Sequence, residues 1–191
     1  WYENDGSENF TDHSIGNNNC TESVHAADLD GDGDMDVLAA AYCEGTIFWY
    51  ENDGSQTFTE HVISTLAEGA RDVNAADMDG DGDMDVLSAC YNAYDDQITW
   101  YENDGSGSFT RHPIMTNNGS YSVYAADMDG DGDMDMLSAS YWDDKIAGYL
   151  NDGSENFTVH TISTAADGAR SVYAADMDGD GDMDVLSASY D

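Results

Sequence analysis

The sequence predicts an all-β fold built of repeated four-stranded antiparallel units, and three observations support this prediction. A nine-residue aspartate-rich stretch occurs four times, and its copies begin 49, 50 and 49 residues apart at Asp28, Asp77, Asp127 and Asp176. The flanking segments are short and β-compatible. The 191 residues include one proline and no helix-length apolar periodicity. Four-stranded units of about 49 residues are typical of β-propeller blades, so we expect a β-propeller.

Each full unit contains four predicted strands. The first follows the pattern Ser-Val-x-Ala-Ala-Asp, and the aspartate-rich loop joins it to the second, Asp-Val-Leu-Ser-Ala-x-Tyr. The third is Ile-x-Trp-Tyr, and an Asn-Asp-Gly turn leads to the fourth, Phe-Thr-x-His-x-Ile. Small residues in the first two strands suit packing around an axis, and aromatic residues in the outer strands suit the wider space between blades.

We interpret residues 1–191 as a single repeat domain. Full units are predicted over about 23–63, 72–114 and 122–162, with a half-blade of third and fourth strands at 1–15 and one of first and second strands at 171–191. The two half-blades would supply one more blade in a closed four-blade propeller, in an assembly of chains that complete one another, or in an arc of a longer propeller. The sequence leaves these geometries open.

The four loops are the strongest candidates for metal sites. Aspartates occupy loop positions 1, 3, 5, 7 and 9, and glycines occupy positions 4 and 6. Calcium takes six to eight oxygen ligands, and glycine permits the tight curl that lets alternate carboxylates converge. In the first loop we expect positions 1, 3, 5 and 9 to bind through side chains and Asp34 through its backbone carbonyl. We predict about four Ca²⁺ ions, one per loop, at Asp28, Asp30, Asp32, Asp34, Asp36, Asp77, Asp79, Asp81, Asp83, Asp85, Asp127, Asp129, Asp131, Asp133, Asp135, Asp176, Asp178, Asp180, Asp182 and Asp184.

Two other interpretations of the loops are less consistent with the sequence. Two carboxylates 4 Å apart repel each other by about 4 kcal/mol at an effective dielectric constant near 20, which argues against an ordered loop without a cation. An EF-hand needs a glutamate at position 12, where these loops have alanine or serine. Magnesium prefers a strict octahedron and retains its waters. The pattern therefore favours a calcium loop between two antiparallel strands.

Composition restricts the partners. The formal net charge is −37 and the chain has only four basic residues, so four bound Ca²⁺ ions would leave about −29. Such a surface repels nucleic acid phosphates and anionic membranes, and we predict no nucleic acid partner. No apolar run reaches the roughly 20 residues of a membrane span, so we predict no membrane insertion. The chain begins with Trp1, and we expect any targeting segment to lie outside it.

The cysteines and the charge favour a secreted protein. Pairing of the strands around the first loop would bring Cys20 and Cys43 together at the opposite end, so we predict a disulfide there and a buried thiol at Cys90. A disulfide, scarce lysine and a calcium requirement all favour an extracellular location. Asn-x-Ser/Thr sequons mark possible glycosylation at Asn9, Asn19, Asn118 and Asn156.

The Asp-x-Asp-Gly-Asp-Gly-Asp-x-Asp loop between two strands, repeated at this period, resembles the FG-GAP/VCBS repeats of integrin α-subunit propellers and of many secreted microbial proteins. The resemblance covers essentially the whole chain. It implies calcium-binding loops and propeller blades, usually about seven, whereas this chain has four loops. Such modules act in adhesion, in sugar binding or as non-catalytic partners of enzymes.

We therefore expect an extracellular calcium-binding repeat protein with a structural, adhesive or filament-forming role and no enzymatic activity. A carbohydrate-binding lectin-like propeller and a non-catalytic accessory domain of a secreted enzyme are the alternatives. Partners would be other copies of the chain through half-blade completion, a glycan or an extracellular protein. No nucleophile elbow, phosphate-binding loop or His-Glu-x-x-His motif occurs.

Three other residue types call for an interpretation. Four histidines, at positions 13, 61, 112 and 160, recur at one strand position, which indicates a structural role. Trp142 lies in a variable loop and is the best candidate for stacking on a sugar ring. The methionines that flank each loop, such as Met78 and Met84, are expected to fill the core.

Overall fold

A computed structural model describes residues 1–92, 97–116 and 119–190, and this part of the chain forms sixteen β-strands. Their bounds are β1 (Tyr2–Asn4), β2 (Phe10–Asp12), β3 (Thr21–Ala27), β4 (Asp36–Ala41), β5 (Thr46–Asn52), β6 (Phe58–Ser64), β7 (Ala70–Ala76), β8 (Asp85–Cys90), β9 (Gln97–Asn103), β10 (Phe109–Thr116), β11 (Ser120–Ala126), β12 (Asp135–Ser140), β13 (Lys145–Asn151), β14 (Phe157–Ser163), β15 (Ala169–Ala175) and β16 (Asp184–Ser189). Among the described residues, no helix is long and apolar enough to span a membrane.

The strands form three four-stranded antiparallel sheets and two hairpins. We call β3–β6 sheet 1, β7–β10 sheet 2 and β11–β14 sheet 3, while β1–β2 and β15–β16 form two-stranded sheets. Within every sheet the strands follow chain order. The first strands of consecutive units lie side by side, β3 against β7, β7 against β11 and β11 against β15. This arrangement of blades around inner strands confirms the predicted all-β propeller fold.

The core lies between neighbouring sheets. Trp49 of sheet 1 packs with Leu38 of its own sheet and with Val86 and Tyr101 of sheet 2. Its indole also meets Phe109 of sheet 2 edge to face, with 6.1 Å between ring centroids. Trp100 and Phe157 repeat this contact between sheets 2 and 3, at 6.3 Å. Bulky third-strand residues therefore fill the inter-sheet space, as their position in the repeat predicts.

Each third-strand tryptophan also stacks on the repeated histidine. In sheet 1 the ring centroids of Trp49 and His61 lie 4.6 Å apart, and the His61 Nε2 atom lies 2.7 Å from a carboxylate oxygen of Glu51. The same stack and histidine–glutamate pair occur in sheet 2 and in the hairpin β1–β2. These contacts support a structural role for the three histidines concerned.

The first strand of sheet 2 begins at Ala70, and its pairing with β8 has a register irregularity between Ala70 and Asp72. One detail of the sequence interpretation, the burial of the methionines, needs correction, since Met78 is 2% exposed but Met84 is 39% exposed. Met84 precedes the buried Asp85, and alternation along an extended chain turns its side chain to solvent.

The terminal hairpins differ from the complete sheets in burial. Leu186 in β16 is 38% exposed, although its equivalents Leu38, Leu87 and Leu137 are fully buried. In the described part of the chain, the strand order places β1 and β16 in separate sheets. Apolar side chains such as Leu186 are thus exposed because the sheet β15–β16 has only the first two strands of a blade.

Candidate metal centres

The four aspartate-rich loops lie at the same end of their sheets. In sheet 1, pairing of β3 with β4 ends at Ala27 and Asp36, and the loop occupies the residues between them. In sheet 2 the corresponding pair is Ala76 and Asp85. Since the sheets are arranged side by side around their first strands, the loops form one acidic edge of the molecule.

Carboxylate oxygens converge within each loop. Three aspartates per loop place one oxygen each within 4.8 Å of the others. The first loop contributes positions 1, 3 and 5, and the other loops contribute positions 1, 3 and 9. The clusters are Asp28, Asp30 and Asp32; Asp77, Asp79 and Asp85; Asp127, Asp129 and Asp135; and Asp176, Asp178 and Asp184.

Backbone hydrogen bonds give the loops their curl. In the second loop, the two Asp77 carboxylate oxygens accept the N–H groups of Gly80 at 2.8 Å and Gly82 at 3.1 Å. Gly82 has a φ of 101°, which L-residues rarely adopt, so glycine is required there. The Asp79 carboxylate accepts the N–H of Asp81 at 3.1 Å. Short-range carboxylate–amide bonds thus orient the side chains toward one point.

The last aspartate of each loop ties the loop to the rest of its sheet. One Asp85 oxygen accepts the N–H of Met78 at 2.9 Å and the other accepts the N–H of Asn103 at 2.7 Å. Burial raises the pKa of Asp85 to about 6, although these two backbone hydrogen bonds work in the opposite direction. Burial also raises the pKa of Asp135. A nearby divalent cation would favour the ionised form of both carboxylates.

The donor set fits a hard cation. The Asp28 Oδ1 atom is buried and has no hydrogen-bond partner among the described residues, which leaves a carboxylate oxygen available as a ligand. Burial raises the pKa of Asp79, and the charges of Asp81 and Asp77 raise it further. Ca²⁺ prefers oxygen ligands such as carboxylates, and a bound cation would offset the repulsion between the converging side chains. Positions 1 and 3, with position 5 or 9, would therefore hold the ion.

Position 7 has a different environment. The carboxylates of Asp34, Asp83 and Asp133 lie outside the clusters and against Gly54, Gly105 and Gly153 of the Asn-Asp-Gly turns. Gly105 has a φ of 70°, and a Cβ atom there would collide with the Asp83 carboxylate. Binding of the metal through the position-7 backbone carbonyl stays a prediction.

Sequence reasoning missed the asparagine of the same turn. The Asn103 side-chain amide donates to the Met84 carbonyl of its own loop at 3.0 Å and to the Leu29 carbonyl of the preceding loop at 2.7 Å. Asn151 bonds Met134 and Met78 in the same way, at 3.2 and 2.9 Å. One amide thus links two consecutive loops. The asparagine occupies the same position in every repeat, which could have indicated a structural role, but we interpreted it only as part of the Asn-Asp-Gly turn.

The opposite end of the sheets carries the cysteines and Trp142. Cys20 and Cys43 form a disulfide with 5.5 Å between their Cα atoms, the pair that the sequence predicts, and Cys90 is a buried thiol. Trp142 is 61% exposed and stacks on Tyr91 with 5.6 Å between ring centroids. The sequon residue Asn19 is exposed near the disulfide, Asn9 and Asn156 are exposed in the turns at the loop end, and Asn118 lies outside the described residues.

A pocket of about 500 Å³ opens at this end, between sheets 1 and 2. Its lining includes the aromatic rings of Tyr42 and Tyr91, the carboxylates of Glu44 and Glu68, and Asn92. The Arg71 guanidinium lies over the Tyr42 ring at 4.2 Å and forms an ion pair with Glu22 at 3.0 Å. Aromatic faces beside polar groups are therefore concentrated opposite the aspartate-rich loops.

We predict that Asn103→Ala lowers the free energy of unfolding by about 1–3 kcal/mol, because it leaves buried carbonyl groups of two loops without a donor. It should also weaken calcium binding more than Asn4→Ala, since Asn4 lies in the exposed hairpin β1–β2. Urea unfolding of both variants measures the free energy of unfolding, and calorimetric titration with calcium measures the affinity for the ion. Equal losses in the two variants would contradict the proposed link between loops.

Comparisons with known proteins agree with this architecture. The chain resembles the structure of an Agrocybe aegerita lectin that recognises non-reducing terminal N-acetylglucosamine, with a TM-score of 0.61, 17% identity, and coverage of 88% of this chain and 47% of that chain. It also resembles BBS1N in complex with ARL6DN, with a TM-score of 0.55, 13% identity, and coverage of 89% and 54%. The V. cholerae biofilm matrix protein Bap1 matches with a TM-score of 0.50, 20% identity, and coverage of 92% and 29%.

At these identities the likeness concerns the fold, and the chain spans about half or less of the length of each of these proteins. Comparison with curated protein sequences gives no significant match. The model of the FG-GAP-like repeat matches four consecutive segments, residues 1–39, 30–88, 85–138 and 127–187. The repeat loops, the sheet order and these matches together show that the chain belongs to the FG-GAP-like repeat family.

Proposed function

We propose that this chain is an extracellular, non-enzymatic calcium-binding propeller module with a structural or adhesive role. The observation that carries the proposal is the cluster of converging carboxylates in every loop, joined between sheets by asparagine amides. An ion that binds only the native state stabilises it by RT ln(1 + [L]/Kd), or about 2.7 kcal/mol per site at a hundred times Kd. Calcium would thus rigidify neighbouring sheets together.

Three features support an extracellular structural role. The disulfide Cys20–Cys43 suits an oxidising compartment. Millimolar extracellular calcium suits weak oxygen-rich sites, and bound calcium would offset part of the −37 charge. The fold is shared with a biofilm matrix protein, and a calcium-rigidified surface is suited to holding such a matrix together.

Calcium should raise the thermal midpoint of the protein, and excess chelator should reverse the increase. Asp79→Asn removes a carboxylate from the second cluster and should lower the calorimetric stoichiometry by about one ion. Asp83→Asn is the matched control, since its carboxylate lies outside that cluster and the stoichiometry should stay unchanged. A midpoint that does not respond to calcium, or equal stoichiometry in both variants, would contradict the calcium role.

Glycan binding is the second candidate function. The exposed indole of Trp142 and the aromatic, carboxylate-lined pocket at the same end of the sheets favour it, because sugars stack on aromatic rings and donate hydroxyl hydrogen bonds to carboxylates. A glycan array should identify a saturable ligand, and Trp142→Ala should weaken its binding at least tenfold. Trp100→Phe serves as a control, because Trp100 is buried between sheets 2 and 3 and does not line the pocket. No saturable ligand on the array would exclude this function.

We also propose that the exposed edge of β16 binds a hairpin of third- and fourth-strand type, which β1–β2 of a second copy can supply. In the complete sheets Leu38 and Leu87 pair with Trp49 and Trp100, so Leu186 would pair with the second copy's equivalent tryptophan, residue 1. The outcome would be a dimer or a longer head-to-tail assembly.

Light scattering with calcium present should then give a mass of two chains or more. Leu186→Asp should return the protein to 20.7 kDa, because it places a charge in the new blade. Val62→Asp is the control, since Val62 is exposed on a complete sheet. A monomeric wild-type chain would exclude association through this edge.

A further inference from the structure

One position breaks the internal repeat in a way that the proposed function does not use. The third strand has Trp49 in sheet 1 and Trp100 in sheet 2, but Gly148 in sheet 3. The glutamate that pairs with the histidine, Glu51 or Glu102, is replaced by Leu150 two residues later. Sheet 3 therefore loses the indole and the histidine's carboxylate partner together.

The complete sheets show what normally occupies this space. In sheet 1 the indole of Trp49 packs in a cluster with Leu29 and Leu38, and in sheet 2 Trp100 packs with Met78 and Leu87. In both sheets the indole lies parallel to an imidazole ring at a centroid distance of 4.6 Å. In two complete sheets, therefore, a tryptophan side chain places its indole at this site.

Sheet 3 keeps the walls of the site but lacks the indole. Met128, Leu137 and Val185 pack in one cluster, with Met128 and Leu137 at the positions of Met78 and Leu87. Together with Gly148, Leu150 and Ile162 they line a cavity of about 270 Å³. A Cβ atom on Gly148 would lie 3.8 Å from Leu137, an ordinary contact, so the empty space is not closed by a collapse of its walls.

The rim supplies polar groups and access. The lining includes the carboxylate-bearing Asp129 and the imidazole-bearing His160. His160 is exposed, whereas the equivalent His61 and His112 are half-buried and cover the buried indoles of their tryptophans. Ile162 is 42% exposed, so the cavity is reached from solvent on this side. A ligand would bury its apolar face on the walls and keep a donor group near the carboxylate.

We propose that this cavity binds a small planar aromatic molecule of indole size, stacked on His160. Well-packed interiors leave few large voids, and an apolar cavity of about 150 Å³ is enough to bind benzene. The larger cavity of sheet 3 accommodates a bicyclic ring, and its apolar lining with a few convergent polar groups has the character of a small-molecule site. The site is separate from the glycan pocket, and Asp129 of the third metal cluster lies at its rim.

The direct test is a calorimetric titration of the whole chain with indole at a fixed calcium concentration. Wild type should show saturable binding with one site per chain. Gly148→Trp fills the cavity with the side chain found in the other sheets, and it should weaken indole binding at least tenfold while raising the thermal midpoint. Indole binding that is equally strong in Gly148→Trp, or no saturable binding to wild type, would overturn the proposal.

Methyl NMR on the wild-type chain locates the ligand without any substitution. Ring currents from bound indole should shift the Ile162 methyl resonances, while those of Ile63, the equivalent residue of sheet 1, should stay in place. N-acetyltryptophanamide distinguishes a free ligand from a tryptophan side chain of another polypeptide. Binding of this amide without binding of indole, or equal shifts at the two isoleucines, would contradict a small-molecule site.

Discussion

In each complete sheet, one buried carboxylate joins the aspartate-rich loop to the outer hairpin. The Asp85 oxygens accept one N–H from the start of the loop and one from Asn103, where the third strand ends. Asp36 and Asp135 make the same pair of bonds in their sheets. Together with the asparagine amide that bonds the same loop, this carboxylate joins the loop to the end of the third strand. Its burial is also electrostatically costly, which favours a cation beside it.

A small set of recurring contacts also joins neighbouring sheets. A single asparagine amide bonds carbonyl groups of two successive loops at one end of the interface. Lower down, an indole stacks on a histidine of its own sheet and meets a phenylalanine of the next. Since both interfaces between complete sheets repeat these contacts, the three complete sheets share one relative geometry. The side-by-side arrangement of the sheets therefore follows from contacts between neighbouring units, as in other repeat proteins.

The glycan-binding and small-molecule proposals rest on positions where the units differ. The aspartate-rich loops are nearly identical in all four copies and support a shared calcium role. By contrast, Trp142 lies in a variable loop, and Gly148 replaces the tryptophan of the other units. Trp142 lies at the end of the sheets opposite the loops, and Gly148 opens a cavity beside sheet 3. Repetition builds the scaffold, and its interruptions provide the distinct surfaces.

The sequence by itself determined the repeat, the four-strand unit, the loop chemistry and the pairing of Cys20 with Cys43. These follow from local patterns, because periodicity, glycine conformation and carboxylate spacing are properties of short segments. Only the tertiary structure decided that Asn103 bonds a loop 74 residues away and that Met84 faces solvent. It also decided that the missing tryptophan at Gly148 leaves a cavity rather than a collapsed core. Such features depend on which sheets become neighbours, and no single segment encodes that.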